Sequence, residues 1–596
     1  MKKFLLLLLC MTSAMLSAWA QYKLSGKVIS SVDKQPVAGA SIGIKGTTQG
    51  VATDQSGNFS IEYKSPSSVL TISSIGYESR EIPINGRKEI NDIELLSTST
   101  GIGEVVVVGY ATQKKKDLTG SVAVVDMNNL KSQPSGQVAI QLQGQASGVT
   151  VISSGQPGDA PQIRIRGINT FGNNTPLFVV DGVPTQDIST LNPNDIASMQ
   201  VLKDAGAASI YGSRASNGVI IITTRAGRGK VSIHYDAYYG SQVPRNGNVF
   251  NVLTPQENAD LKWMALKNSG ATSFNDALYG NGSTPVLPDY ISPVGAKEGS
   301  SAVDPSKYIL NPDFTSADEF AGFYQITKAN KTGTDWFHEV FNPAPISSNN
   351  LSVSGGSDKG AYYFSLNNFN QQGMLDYTFL NRYSLRSNSK FNFSKDISIG
   401  ENLEYTISSN RGTPNTGDDN PIYNAATMPP IIPVYDIAGN FGGAHGTDMF
   451  GYNPVAHQYR MRNNKQLNNR LLGNVYADIT FLKDFTFHTS FGGESYSGTS
   501  NSFSYPVYEG YLPSTTNSYT EGSTSGYNWT WTNTMAFRKT FNTVHELNVL
   551  VGTEAYDAES ENVGGTTFGY FSFDPAFTTL SSGSGTVSNY SGKTTE

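Results

Sequence analysis

Charge is scarce in this chain. Asp, Glu, Lys and Arg make up 15% of its 596 residues, and the formal net charge is -7, so no overall basic field exists to hold nucleic acid or an anionic surface. Cysteine is almost missing. Cys10 is the only one, and it sits in a segment expected to be removed, which excludes disulfides as a stabilising device. Long apolar runs are absent after residue 20: stretches such as 218–222 are strand-sized, far short of the ~20 residues of a membrane helix. A chain without such helices has one remaining way across a bilayer, a closed β-barrel.

Catalytic and metal-binding patterns are equally thin. The six histidines, His234, His338, His445, His457, His488 and His545, lie far apart with no zinc spacing, so no metal and no cofactor is expected. Gly39 to Gly43 fits G-x-S-x-G, but Ser41 stands between strand-like runs and not at a strand-to-helix elbow, so no enzyme is expected either. Gly592-Lys593-Thr594 has the ending of a phosphate-binding loop, yet Val587 occupies the place of its first glycine. Asp418-Asp419-Asn420 is read as a solvated loop tip before it is read as a calcium site.

What the chain has in quantity is Gly (60), Tyr (31) and Phe (29), a composition of strands and turns. Residues 1–20 read as a signal peptide: Lys2 and Lys3, an apolar run over 4–10, then Ala18-Trp19-Ala20, with cleavage between Ala20 and Gln21. Bulky Leu9 before Cys10 argues against a lipid anchor there. Residues 21–97 alternate short strands with Gly-rich turns and read as a small β-sandwich. A linker follows at 98–117. It contains EVVVVGY, from Glu104 through Val105, Val106, Val107, Val108 and Gly109 to Tyr110, four β-branched residues between polar flanks. On pattern alone this is either the last edge strand of the sandwich or a strand offered to another protein. Residues 118–229 read as a compact α+β domain with tight turns.

The motifs add to this reading. PVAGASIGIKG, TDQSGNFS and IGYESREI resemble the carboxypeptidase regulatory-like family, a transthyretin-like fold that implies no peptidase. IRIRG at 163–167, the run 177–184 ending in DGVP, 199–204, and 207–224 resemble, in order, the plug domain of TonB-dependent outer-membrane receptors. FVVDGVP, LKDAGAASIYGSRASNG and EVVVVGYATQKKKDLTGSV resemble the SusC/RagA branch of those receptors. Within the plug-like motifs, Arg164, Arg166, Asp181 and Arg214 are charges in apolar or Gly-rich settings. They are expected to make ion pairs holding plug to barrel more than to bind substrate. Gly167, Gly182 and Gly218 are read as turn positions, with Asn217 beside the last of them.

Residues 230–596 read as a partial outer-membrane β-barrel. On 382–393 the odd positions carry Tyr383, Leu385, Phe391 and Phe393 while the even ones carry Arg382, Arg386, Asn388, Lys390 and Asn392. A soluble sandwich alternates as well, with its apolar face inward. Loop parity separates the two: long connections at 241–347, 371–377 and 409–465 alternate with GSDKG, SKD, LKD and FNT. About nine strands are expected, followed by a polar C-terminal loop; plugged transporters close with about 22, so the sequence reads as the N-terminal portion of a longer protein that would not insert stably alone.

The fold class expected is therefore mainly β: sandwich, small α+β plug, partial transmembrane antiparallel barrel. The resemblance implies TonB-dependent import across the outer membrane, with the sandwich in the periplasm and the barrel in outer-membrane lipid. It implies TonB, energised by ExbB and ExbD, gripping Glu104 to Gly109, and a SusD-like surface lipoprotein as partner. The ligand it implies is a glycan oligomer, or a peptide. Two rivals remain, a classical receptor for a metal chelate or vitamin and a non-transporting adhesin. Aromatic and Asn-rich loops such as 437–459 and 502–511 suit sugar stacking without identifying a ligand.

Overall fold

The computed structural model describes residues 22–595 apart from 32–33, 48, 75–76, 97–104, 109–110, 115–120, 126, 128–134, 311–322, 414–419, 446, 448, 511–512 and 542–544. The signal-peptide reading, including Ala20 and Gln21, lies outside the described residues, as do Glu104 and Gly109. The chain forms two compact units, one built on residues up to 106 and one on residues from 119 onward.

The first unit is a β-sandwich. Strands β1 (Tyr22–Ser30), β4 (Asn58–Tyr63) and β7 (Glu89–Leu95) make one sheet in the order β4-β1-β7. The other has the order β3-β2-β5-β6, from β2 (Ser41–Ile44), β3 (Gly50–Ala52), β5 (Val69–Ser73) and β6 (Arg80–Pro83). Alternation does the folding: on β4, Phe59, Ile61 and Tyr63 are buried between exposed neighbours, and they join Leu24, Val28, Ile42, Leu70 and Ile72 in one core. Ser41 is an ordinary residue of β2. Beyond the sandwich sheets, β8 (Val105–Val108) pairs with β9 (Ala111–Lys114) as a separate two-stranded ribbon.

The second unit begins with the small mixed domain. Its sheet runs β10-β15-β16-β13-β14, from β10 (Val122–Val125), β13 (Leu177–Val180), β14 (Val183–Thr185), β15 (Ile196–Leu202) and β16 (Val219–Thr224). A hairpin of β11 (Val149–Ile152) and β12 (Gln162–Ile165) lies apart from that sheet. Strands β13 and β16 are apolar on both faces because two clusters sandwich the sheet, one around Phe178, Met199 and Ile222 and one around Leu177, Leu202 and Ile221. At Gly218, before β16, the turn needs φ = +87°, and an added Cβ would stand 2.8 Å from Ile165 Cδ1 and 3.1 Å from the Leu202 carbonyl oxygen. Gly218→Ala is therefore expected to cost the full-length protein about 1–3 kcal/mol. The urea midpoint reads this; an unshifted midpoint would contradict it.

Ten antiparallel strands then form one continuous sheet, β17-β20-β21-β22-β23-β24-β25-β26-β27-β28, every neighbour adjacent in sequence except for a two-strand pair, β18 (Tyr290–Ser292) with β19 (Thr327–Lys328), in the first long loop. The ten are β17 (Ser232–Gln242), β20 (Ala344–Ser357), β21 (Gly360–Gln372), β22 (Phe379–Asn392), β23 (Ile397–Arg411), β24 (Lys465–Phe481), β25 (Phe485–Ser504), β26 (Ser518–Phe541), β27 (His545–Phe568) and β28 (Ser588–Thr595). Connections alternate, long at 243–343, 412–464, 505–517 and 569–587 and short at 358–359, 393–396 and 482–484, except that the connection expected to be long near 371–377 is the short stretch 373–378.

Two expectations need correction. The sheet has ten strands and not about nine, and the C-terminal stretch taken for a polar loop contains β28, paired to β27 from Glu559↔Thr595 to Thr566↔Ser588. Tyr590 is its one large apolar residue, so no alternation marks it. Strands β26 and β27 also reach 24 residues each, roughly 80 Å at about 3.3 Å per residue and well past the ~10 residues that cross a bilayer.

The sheet is inside out. On β22, Tyr383 and Leu385 are 57% and 54% exposed, while Arg382, Ser384 and Arg386 are each 2% exposed. A soluble sandwich buries the opposite set. Here the α+β domain covers the polar face and the apolar face points outward, the arrangement of a barrel wall facing lipid around a plug.

Candidate functional site: the plug, its wall and the outer cavity

Burying arginine inside a protein requires paired charge, and here plug and barrel supply it together. Arg386 on β22 meets Asp181 of the plug at 3.7 Å, Asp195 of the plug at 3.6 Å, and Glu404 on β23. The carboxylates are held in turn. Asp181 accepts from the Thr224 N–H at 2.8 Å and from its hydroxyl at 2.6 Å, and Asp195 accepts from the Tyr363 hydroxyl at 2.8 Å. Asn388 donates to the Thr224 hydroxyl oxygen at 2.6 Å and to the Arg225 carbonyl at 2.8 Å.

A second buried arginine lies nearer the long-loop rim. Arg470 on β24 donates through Nε to Glu494 on β25 at 2.8 Å, to the hydroxyls of Thr185 and Thr190 at 2.7 Å each, and to the Asp187 carbonyl at 2.9 Å. One side chain thus ties the plug loop after β14 to two barrel strands. Arg382 adds a bond of 2.9 Å to the Ser189 carbonyl, and Asn192 of the plug donates to Asn350 on β20 at 2.8 Å.

Above this loop lies a cavity of about 610 Å³, floored by plug residues Asp187, Ser189 and Thr190 and walled by β22 to β28. On β22 to β24 its residues stand within a few positions of the long-loop ends of their strands, and on β25 to β28 they lie deeper along the strands. Its charged groups all have partners: Arg382 and Arg470 hold the plug, Glu494 holds Arg470, Glu559 pairs with Lys593 at 2.7 Å, and the Asp187 carboxylate accepts from the Ser189 N–H at 2.8 Å and its hydroxyl at 2.7 Å. Amides and phenols remain, including Asn410, Gln466, Asn468, Asn469, Asn528 and Tyr527. Such a lining is rich in donors, acceptors and aromatic faces, which suits a hydroxyl- or amide-rich ligand.

The long loops carry a core of their own. Trp263, Tyr279, Trp336, Met428, Ile431 and Ile432 are buried together, drawn from 243–343 and 412–464. Arg460 pairs with Glu509 through two bonds of 2.7 and 2.9 Å and lies over Phe441 and Tyr508. Of the aromatic residues read from the sequence as suited to sugar stacking, Phe503 and Tyr508 are buried in loop packing, whereas Phe450 and Tyr459 are exposed. In the same loops His338 bonds the Asp335 carboxylate at 2.6 Å and the Arg245 carbonyl at 3.0 Å. The Asp335 carboxylate, against some desolvation, raises the imidazole above its ordinary 6.5. A raised folded value favours the protonated ring, so this stabilisation is complete below about pH 6.5 and fades as pH climbs through the raised value. Amide exchange of the helix Trp336–Val340, corrected for its intrinsic pH dependence, should quicken across that window and lose the dependence in His338→Gln; an identical profile in that variant would contradict the assignment.

Comparison with known proteins agrees with this geometry. Residues 114–219 match the family described as TonB-dependent Receptor Plug Domain, and residues 24–108 the CarboxypepD_reg-like domain. TonB-dependent receptor P26 of Formosa agariphila is 30% identical over 590 residues, 96% of this chain and 53% of that protein. TonB-dependent receptor SusC of Bacteroides thetaiotaomicron is 29% identical over 543 residues, 84% of this chain and 47% of that protein. A solved structure of the RagAB peptide importer in its open-open state superposes with a TM-score of 0.65 at 27% identity, covering 82% of this chain and 53% of that one. The chain belongs to the SusC/RagA family of TonB-dependent receptors. It spans about half the length of the curated relatives it matches.

Within this receptor fold the motif residues fall into three groups. Asp181 and Arg214 reach the barrel, Asp181 at Arg386 and Arg214 at Glu554 on β27. Arg164 and Arg166 do not follow the expectation of plug-to-barrel pairing: Arg166 pairs with Asp204 inside the plug, and Arg164 bonds the Ile163 carbonyl and Gln162 beside it. The reason is position, since both lie on or just after the β11–β12 hairpin, outside the five-stranded plug sheet. Gly167, Gly182 and Gly218 all take positive φ at turns, and Asn217 donates to the Asn173 carbonyl at 2.9 Å, tying the turn before β16 to the loop before β13. Arg386, Glu404, Arg470 and Glu494 were not singled out from the sequence. A charge on the polar side of an otherwise regular amphipathic strand was the available signal.

Proposed function

We propose that this receptor imports a nutrient oligomer across the outer membrane, powered by TonB with ExbB and ExbD, with the sandwich on the periplasmic side. The observation that carries this reading is the inside-out sheet wrapped on a hydrogen-bonded plug, with an amide-rich cavity on the rim side of that plug. A glycan fits the lining first. A peptide is the second ligand class, supported by the likeness to the RagAB peptide importer. A SusD-like lipoprotein at the long-loop rim is the proposed partner, and the internally packed loops offer it a rigid platform. The mature chain is proposed to begin at Gln21.

Val105–Val108 is the proposed TonB contact, within Glu104 to Gly109. Among the described residues its strand pairs with Ala111–Lys114 and with neither sandwich sheet, which leaves one edge of β8 for a partner strand. The match of the sandwich family as far as residue 108 supports the other reading, a terminal part of the sandwich domain. Uptake by cells carrying the full-length protein, with and without TonB, tests the proposal: uptake that ignores TonB would refute it.

A further inference from the structure

The plug is held unevenly to its wall. Along β20 to β25 its bonds are buried and numerous, through Asn350, Tyr363, Arg386, Asn388, Arg470 and Asn474. Leu472 of β24 is even part of the plug's own core. Along β26 and β27 a second cavity of about 570 Å³ separates plug from wall, with residues 210–214 on one side and Thr532, Thr534 and Gly552 on the other. Arg214 reaches across it to Glu554, and its guanidinium carbon lies 5.3 Å from the centre of the Tyr556 ring.

Tyr556 lines both cavities, so the outer space and the second one meet at this ring. The pair beside it differs from the buried locks: the side chains of Arg214 and Glu554 are 32% and 23% exposed, against 3% and 2% for Arg386 and Glu404. Parting the former leaves both charges within reach of water, whereas parting the latter strands them in a dry interior.

We infer that Arg214, Glu554 and Tyr556 form a gate between the two cavities, and that ligand passes along the β26–β27 wall while the plug stays anchored on β20 to β25. This rests on the import reading above. The chemistry suits a hydroxyl-rich oligomer: each hydroxyl both donates and accepts, so it replaces either partner of the opened pair, and a sugar face stacks on Tyr556.

The test uses the full-length protein in intact cells, carrying Ser213→Cys as its only thiol in the second cavity. The probe is a maleimide on a polyethylene glycol too large for porins, added outside. Glu554→Gln and, separately, Arg214→Ala should each raise the labelling rate at position 213 about fivefold, the population shift expected from losing a half-buried ion pair. Asn192→Ala and Asn350→Ala, on the anchored wall, should leave it unchanged. Heat-modifiable migration on gels confirms an intact barrel for each variant, and Glu554→Gln preserves shape where Arg214→Ala disturbs the plug. No rise in the gate variants, or an equal rise in the anchor variants, overturns the inference. Labelling in cells lacking TonB separates the two claims: if the pair's effect persists but TonB makes no difference to the parent protein, the import reading fails and the gate stands.

Discussion

Deletion of residues 104–110 from the full-length protein is expected to reduce energised uptake to the level of cells without TonB, while ligand binding at the outer face is retained. A pulling partner needs an unclaimed strand edge, and among the described residues β8 is bonded on one side only, to Ala111–Lys114. Four valines give that edge an extended backbone with no side-chain specificity to satisfy. About four to six backbone hydrogen bonds, each contributing about 1 kcal/mol net, make a grip that is firm and reversible. Replacing the stretch with a Gly/Ser segment of equal length separates the strand from mere tether length: it should fail as completely as the deletion. Uptake that survives either change would assign Val105–Val108 to the sandwich instead, and the unfolding midpoint of the sandwich would then fall in both variants.

Arg386→Met should loosen the plug from its wall. The substitution preserves apolar bulk but leaves Asp181, Asp195 and Glu404 buried with their shared guanidinium gone. Removing one partner of a buried ionic cluster costs about 3–5 kcal/mol, which corresponds to more than a hundredfold in the population of the loosened state. Glu404→Gln is the informative contrast. It removes one of three carboxylates, keeps the shape and leaves Arg386 still neutralised, so its effect should be much smaller. Protease susceptibility of the plug in the full-length protein, followed against urea, reads both. Equal midpoints for Arg386→Met and the parent would show that the cluster does not hold the plug.

Period-two alternation was plain in the sequence of β22 because both faces of that strand meet contrasting surroundings, lipid on one side and plug on the other. Which face is which was settled by Arg386 lying under the plug and Tyr383 lying outside it. Where the surroundings match, the signal vanishes. The rim half of β25, with Ser495, Gly498 and Ser500, and the first third of β26 are polar on both faces, as expected of a wall that has left the bilayer, and β28 lies beside that portion of β27. The loop core escaped notice for another reason: Trp263, Trp336 and Ile432 come from segments far apart in the chain, and only their meeting makes them a core. Turn glycines were legible one by one, since Gly182 and Gly218 each need a backbone that other residues resist. The partners of Arg166 and Arg214 were not, because a charge names the sign of its partner and not its address.

The outward apolar face is the central claim, and spin labels placed one at a time at 383, 384 and 385 of the full-length protein in lipid bilayers test it most directly. Collision with dissolved oxygen should be high at 383 and 385 and low at 384, with little collision with a water-soluble nickel chelate at all three. High nickel access at 383 and 385, or protection from both reagents there, would place that face in water or in a protein core and contradict the account.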